Sequence, residues 1–215
     1  MTVPCIVTVK EMQGDEGGLP VAHIRRTSGG EPTQVLPDLF KALPYTLPLP
    51  SYHAGSFACA IIAGWSVQGV PMLALASDHN GQGAVWRYEV TKAKNGKHLV
   101  VRVFRWCDGS TRKGVRQGWF EVFYGILRLA VLFADLIEEA GNAKPMEKIN
   151  ARTAEPSFWG VRAALSVEGV EVERDGSGFI LCCEGARDQF ASTLTDAFRF
   201  GRDMAKDRDA QKNVA

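Results

Sequence analysis

The chain has 215 residues, of which 46% are hydrophobic and 23% are charged. This composition is ordinary for a folded globular protein and excludes an intrinsically disordered chain, while the length allows either one sizeable core or a main domain with a small appendage. The formal net charge of +1 excludes an overall electrostatic bias towards nucleic acid or an anionic membrane.

No segment of the sequence is typical of a targeting peptide or a membrane span. The N-terminal apolar run is short, is broken by Pro4 and ends at Lys10, so we expect no signal peptide. The apolar stretch 119–137 carries Arg128 near its middle, where a charge costs about 3 kcal/mol inside a bilayer, so a soluble core helix and no membrane association are predicted. The five cysteines show no C-x-x-C spacing, which indicates reduced thiols and a cytoplasmic protein.

The N-terminal part of the chain predicts two strands and then an irregular segment. Val3–Lys10 and Val21–Thr27 are expected to pair across a link that is rich in glycine and acidic residues. Residues 28–51 contain five prolines, which favour irregular structure with at most a short helix after Asp38. Because a structureless segment of this length is uncommon inside a compact domain, it is also a candidate for contacts with another molecule.

Two buried strands are predicted next, over Phe57–Val67 and Val70–Ser77, around a turn at Gln68-Gly69. Runs of alanine and isoleucine are ambiguous between strand and helix, so a helix over Phe57–Ile62 is the competing interpretation. The polar sequence Asp78–Gly83 that follows predicts a loop.

Ala84–Trp106 predicts a β-hairpin. Asn95-Gly96 supplies the positive φ angles of a type I′ turn, which pairs residues whose numbers sum to 191. In this register Glu89 lies opposite Arg102, a favourable cross-strand pair. The face that carries Trp86 is expected to face the core. The opposite face is basic and aromatic and carries Arg87, Arg102, Phe104 and Trp106.

Arg116–Ala140 predicts one long, nearly fully buried helix. At about 100° per residue, Glu121, Arg128 and Asp135 fall in one narrow stripe, and apolar side chains cover the remaining surface. Only this stripe is therefore expected to face water. Gly141 is a favourable residue for ending the helix.

The C-terminal part predicts a smaller unit after a polar linker over 142–156. Val167–Cys183 predicts a second hairpin and Ala186–Asp207 an amphipathic helix. The predicted fold class is therefore α+β, with an antiparallel sheet of about six strands packed on one long buried helix, followed by a smaller hairpin–helix unit. The main domain is expected over residues 1–141, and the hairpin–helix unit, which could pack on it, over 157–208.

Charge is distributed unevenly along the chain. Residues 92–116 hold eight basic residues against Asp108 alone, a local net charge of +7, so the remainder carries −6. Basic side chains bind phosphates and exposed aromatic rings stack on bases, which favours a non-enzymatic binding protein that engages nucleic acid or an acidic protein surface. An interpretation without a binding function, in which the rings are buried and the basic residues are a solvated rim, stays open. The candidate binding residues are Arg87, Arg102, Phe104, Trp106, Arg112, Lys113 and Arg116.

Two other classes of function remain open. Gly64–Gly69 comes close to the G-x-S-x-G pattern of hydrolases, but its second glycine falls one residue late. Metal-ligand spacings of histidine and phosphate-binding glycine loops are absent from the sequence, so no metal or cofactor is predicted. An enzyme of unknown class could still bring distant residues together in space, and a structural subunit of a larger assembly would fit the Pro-rich segment. The candidate enzyme residues are His53, Ser56, Asp78 and His79.

Overall fold

The computed structural model describes residues 3–11, 18–43, 53–73, 83–93, 98–109 and 117–212, which form a mixed α+β structure with two sheets. The strands are β1 (Cys5–Lys10), β2 (Pro20–Arg26), β3 (Met72–Leu73), β4 (Trp86–Lys92), β5 (Leu99–Cys107), β6 (Gly118–Ile126), β7 (Val170–Asp175), β8 (Gly178–Cys183) and β9 (Gln189–Ala191). The helices are α1 (Pro32–Lys41), α2 (Ala54–Val67), α3 (Leu127–Leu132), α4 (Ala134–Asn142), α5 (Phe158–Val167) and α6 (Leu194–Lys212).

The large sheet has the strand order β3-β2-β1-β4-β5-β6, in which β3 is only two residues long. The predicted pairing of β1 with β2 is confirmed. The expectation of a purely antiparallel sheet is wrong, because β1 and β4 run parallel at its centre. The chain returns along β2 to the end of the sheet at which β4 begins, and the segment that holds α1 and α2 connects β2 to β4.

The hairpin of β4 and β5 has the register predicted from the sequence. Trp86 pairs with Arg105 and Glu89 with Arg102, so the paired numbers sum to 191 throughout. Trp86 and Tyr88 are buried, which confirms that their face is the core face. The turn at Asn95-Gly96, from which the register was predicted, lies outside the described residues.

The predicted helix over Arg116–Ala140 is wrong in its first half. Gly118–Ile126 is the strand β6, paired antiparallel with β5, and the chain becomes helical only at Leu127. The segment is rich in aromatic and β-branched residues, which fit a pleated surface better than a helix. The helix that follows is also interrupted, because Phe133 (φ −108°, ψ 18°) separates α3 from α4.

The two strands predicted after the Pro-rich segment need a similar correction. Ala54–Val67 is the helix α2, so the strand prediction is wrong and the competing helix interpretation is confirmed. The second strand is reduced to Met72–Leu73, and residues 74–77 lie outside the described residues. Helix α1 is longer than expected and begins at Pro32, where a proline lacks only an amide that has no partner in the helix anyway.

The C-terminal unit contains the predicted hairpin, formed by β7 and β8. A third strand, β9, pairs with β8 where the amphipathic helix was expected to begin, so α6 starts only at Leu194. Helix α5 was not predicted. The apolar side chains of this unit belong to the same continuous core as those of the large sheet. The domain boundaries 1–141 and 157–208 stay a prediction.

The elements stack in layers. Helices α2, α3 and α4 pack against one face of the large sheet, and α5 packs against α1, α3 and α4. The small sheet, with the order β7-β8-β9, packs against α5 and α6. Each sheet therefore has one face on the helices and one outer face, and the two outer faces lie at opposite ends of the stack.

Candidate functional site

The outer face of the large sheet carries the hairpin residues that the sequence analysis singled out. Side chains alternate between the two faces of a strand, so the neighbours of the buried core residues point outwards. Cross-strand pairing then brings β6 residues beside those of β5: Trp119 lies opposite Trp106, Glu121 opposite Phe104, and Tyr124 opposite Arg102. The outer face is defined here by Lys10, Arg87, Glu89, Arg102, Phe104, Trp106, Trp119, Glu121, Tyr124 and the adjoining Lys148.

Glu89 is the first of two carboxylates that organise the basic residues of this face. It is only 6% exposed, and its carboxylate accepts a hydrogen bond of 2.8 Å from Lys10 Nζ. It also accepts a hydrogen bond from Arg87, and a guanidinium nitrogen of Arg102 lies 4.0 Å away. One nearly buried negative charge is thus surrounded by three positive ones.

Glu121 is the second carboxylate, and it joins Arg102 to Lys148. A guanidinium nitrogen of Arg102 lies 2.6 Å from it, and Lys148 forms a further ion pair. Burial alone would raise the pKa of Glu121, but the hydrogen bonds from Lys148 and Arg102 outweigh burial and hold this pKa below its usual value. The network contains four cations and two carboxylates and therefore keeps a net charge of +2.

The aromatic side chains of this face lie among the cations. The guanidinium carbons of Arg87 and Arg102 lie 5.5 and 5.1 Å from the centre of the Phe104 ring, within the range of cation–π attraction. Trp106 and Trp119 meet edge to face with their ring centres 5.3 Å apart. The interpretation without a binding function expected both rings to be buried, but Phe104 and Trp106 are only half-buried.

Arg102 and Tyr124 are the most open members of the outer face. The Arg102 side chain is 50% exposed and Tyr124 is 57% exposed. The two residues lie opposite each other on β5 and β6, so a cationic group and an aromatic ring are presented side by side.

The sequence analysis missed the contribution of β6 to this face, because it placed Trp119, Glu121 and Tyr124 on a helix. The density of aromatic residues between Gly118 and Gly125 was the signal that could have identified a strand. Lys148 comes from the predicted linker, where no sequence pattern points to it. Of the predicted binding residues, Arg112, Lys113 and Arg116 lie outside the described residues.

The alternative enzyme residues are only partly described. His53 is exposed and directly precedes α2, and Ser56 lies in the first turn of that helix. Asp78 and His79 lie outside the described residues. Gly64 and Ser66 belong to the last turns of α2, so the strand–turn–helix geometry of a hydrolase nucleophile is absent there.

A groove of about 1140 Å³ runs along α2 and has a polar network at its base. Asp38 accepts hydrogen bonds of 2.9 Å from Arg26 and 3.1 Å from the Trp65 ring nitrogen. The Arg26 guanidinium also lies 5.1 Å from the centre of the Trp65 ring. These contacts satisfy the buried arginine, which indicates a structural role for the network.

The described part of the chain, outside residues 1–2, 12–17, 44–52, 74–82, 94–97, 110–116 and 213–215, offers no other class of site. In that part, no group of three or more histidine, cysteine or acidic residues could hold a metal ion. No helix there has the length and apolar character needed to cross a membrane. All five cysteines are free thiols.

Comparison with protein-family models, with curated proteins and with solved structures finds no match to this chain.

Proposed function

We propose that the protein is a non-enzymatic binding protein that engages an acidic partner, single-stranded nucleic acid, through the outer face of the large sheet. The observation that carries the proposal is the exposed cross-strand pair of Arg102 and Tyr124 beside the Phe104 ring. A guanidinium binds phosphate, and an exposed ring stacks on an unpaired base. One sheet surface thus offers partners for both parts of a nucleotide.

The aromatic residues favour a single strand over a duplex or an acidic protein. In a duplex the bases are stacked on one another, so Tyr124 and the ring pair of Trp106 and Trp119 would have no base to contact. An acidic protein would use the cations but would not require the rings. Sequence-tolerant stacking on aromatic residues within a basic surface is typical of proteins that bind single strands.

The ion-pair network supports the same proposal through preorganisation. Glu89 and Glu121 hold the guanidinium groups of Arg87 and Arg102 close to the sheet surface. Side chains that are ordered before binding lose less conformational entropy when a ligand arrives. The excess of cations over carboxylates leaves net positive charge for the phosphates.

The proposal is tested by fluorescence anisotropy with labelled single-stranded and duplex oligonucleotides over a salt series. We expect the single strand to bind more tightly, with an affinity that falls as salt rises because bound phosphates release counterions. Tyr124→Ala should weaken binding by about 1–3 kcal/mol if the ring stacks on a base.

Trp159→Ala is the matched control, because Trp159 is 63% exposed but lies on α5, away from the outer face. It should leave the affinity unchanged. Equal losses in the two variants, or tighter binding of the duplex, would contradict the proposal. Salt-dependent capture of an acidic protein after nuclease treatment, without any affinity for oligonucleotides, would instead favour a protein partner.

A further inference from the structure

The small sheet presents an outer face of opposite charge. Glu171 of β7 lies opposite Cys182 of β8, and Ile180 of β8 lies between Glu173 and Phe190 of the flanking strands. The buried residues that alternate with them face α5 and α6; these are Val170, Val172, Leu181, Cys183 and Ala191. The acidic face is defined here by Glu171, Glu173, Ile180, Cys182, Asp188 and Phe190.

The carboxylates of this face are not neutralised by the residues around them. Glu171, Glu173 and Asp188 are exposed, and none of them forms an ion pair within the described residues. The acidic face as defined contains three carboxylates and no cation, so its net charge is −3. The outer face of the large sheet, by contrast, already shares its charges among ion pairs and keeps +2.

An exposed ring lies among these carboxylates. Phe190 is 56% exposed, although phenylalanine is ordinarily buried. Its position on the acidic face is well defined, because the ring covers Gly178, where an added Cβ would collide with it. A partly exposed Ile180 lies beside it in the cross-strand pairing. An apolar centre with a charged rim is the usual anatomy of a protein interface.

The complement of this surface is present on the same chain. The outer face of the large sheet has a net positive charge and exposes the Tyr124 ring, whereas the acidic face has a net negative charge and exposes the Phe190 ring. The two faces lie at opposite ends of the layered molecule, so they meet only when they belong to different copies. We propose that the acidic face of one copy docks on the outer face of the large sheet of a second copy.

This docking mode has a defined assembly geometry. The two contacting surfaces differ, so a docked pair retains one unused basic face on one copy and one unused acidic face on the other. Further copies can therefore add head to tail into a ring or a chain. The inference uses the same basic surface as the proposed function. It rests on charge complementarity between two described faces and does not require nucleic acid binding.

The inference is tested by sedimentation velocity on the nuclease-treated full chain, over a series of protein concentrations at low and high salt. We expect concentration-dependent association at low salt that weakens as salt rises, because exposed charges are screened. Two variants each block one surface. Glu171→Lys with Glu173→Lys, the doubly reversed variant, makes the acidic face positive, and Arg102→Glu removes the net positive charge of the basic face. Each variant alone should associate at least tenfold more weakly than the wild type.

Mixing the two blocked variants provides the decisive measurement. The Arg102→Glu copy retains its acidic face and the doubly reversed copy retains its basic face, so the mixture should form a one-to-one dimer that does not grow further. Asp207→Lys is the control: like the doubly reversed variant it adds positive charge, but on the exposed side of α6, outside both faces. It should associate like the wild type. Circular dichroism and thermal unfolding check that all variants are folded.

The inference is overturned if the wild type stays monomeric at low salt over the whole concentration series, or if both blocked variants associate as the wild type does. Binding of a lysine-rich peptide by a monomeric wild type would assign the acidic face to another protein and would likewise overturn it. Oligonucleotide binding tests the proposed function separately from self-association. The doubly reversed variant keeps its basic face and should bind oligonucleotides normally. A wild-type protein that self-associates but does not bind oligonucleotides would refute only the proposed function.

Discussion

At the scale of single residues, Glu89 shows how a nearly buried charge can be retained in a sheet. Lys10 and Arg87 bond to its carboxylate, and Arg102 approaches it from the next strand. A buried charge is tolerated only when it is paired and hydrogen-bonded, so the carboxylate and its cations depend on one another. Removing the carboxylate or one of its cations leaves uncompensated charge on a partly desolvated surface.

Glu89→Ala should therefore destabilise the protein by about 2 kcal/mol. This is less than the loss expected for a fully buried pair, because the Lys10 and Arg87 side chains are themselves 21% and 20% exposed. Asp203→Ala is the control, since Asp203 forms an exposed pair with Lys206 within one helix and should leave stability nearly unchanged. Urea denaturation measures both, and similar losses would show that the Glu89 pairs contribute no more than surface pairs.

Glu121 gives the outer face a defined response to acid. Its pKa is lowered in the folded protein by Lys148 and Arg102 against the opposing effect of burial. A group with a lowered folded pKa stabilises the fold above its unfolded pKa, and that contribution is lost as the pH falls through the folded pKa. Glu121→Gln should therefore flatten the decline of stability below the ordinary value of 4.5. Unfolding free energies over a pH series test this, and parallel wild-type and variant curves would contradict it.

At the scale of elements, sequence patterns predicted the structure where pairing is local. The hairpin register of β4 and β5 and the second hairpin depend on turns between adjacent strands, so short-range patterns suffice. The sequence pattern gave the wrong structure at β6, because charged residues at seven-residue spacing fit the polar stripe of a helix. Only pairing with β5 decides between helix and strand there. The residues of the outer face that belong to the β4–β5 hairpin were therefore predictable, and those supplied by β6 and by Lys10 and Lys148 were not.

Helix α5 packs between the helices that cover the large sheet and the small sheet, and Gly160 allows its close approach to α3. An added Cβ at Gly160 would overlap the carbonyl oxygen of Leu132, whereas Gly64 in α2 has open space at the same position. Gly160→Ala should cost about 2–3 kcal/mol by overpacking. Gly64→Ala should instead gain about 0.5–1 kcal/mol, because alanine is the better helix former. Chemical denaturation compares the two, and equal effects would mean that α5 is not tightly packed against α3.

At the scale of the whole molecule, a net charge of +1 conceals two surfaces of opposite sign. Among the described basic residues of 92–116, Arg105 does not join the outer face, because it points towards the core side and packs over the Trp86 ring at 5.3 Å. The positive outer face instead combines Arg102 with Lys10, Arg87 and Lys148 from other parts of the chain. Charge counted along the sequence identified the hairpin, but only the sheet topology brings these cations together.

We expect single-stranded nucleic acid and a second copy of the protein to compete for the outer face of the large sheet. A single strand and the acidic face of a second copy would both use Arg102 and Tyr124, so they cannot bind together. Titrating a labelled oligonucleotide into associated wild-type protein at low salt should therefore convert the assemblies into monomers with bound oligonucleotide. Sedimentation velocity that follows protein and label separately measures this. An unlabelled neutral polymer is the control and should leave the assemblies intact. A head-to-tail chain leaves only one basic face free, so undissociated assemblies that carry one labelled oligonucleotide per copy would show that nucleic acid and the second copy occupy different surfaces.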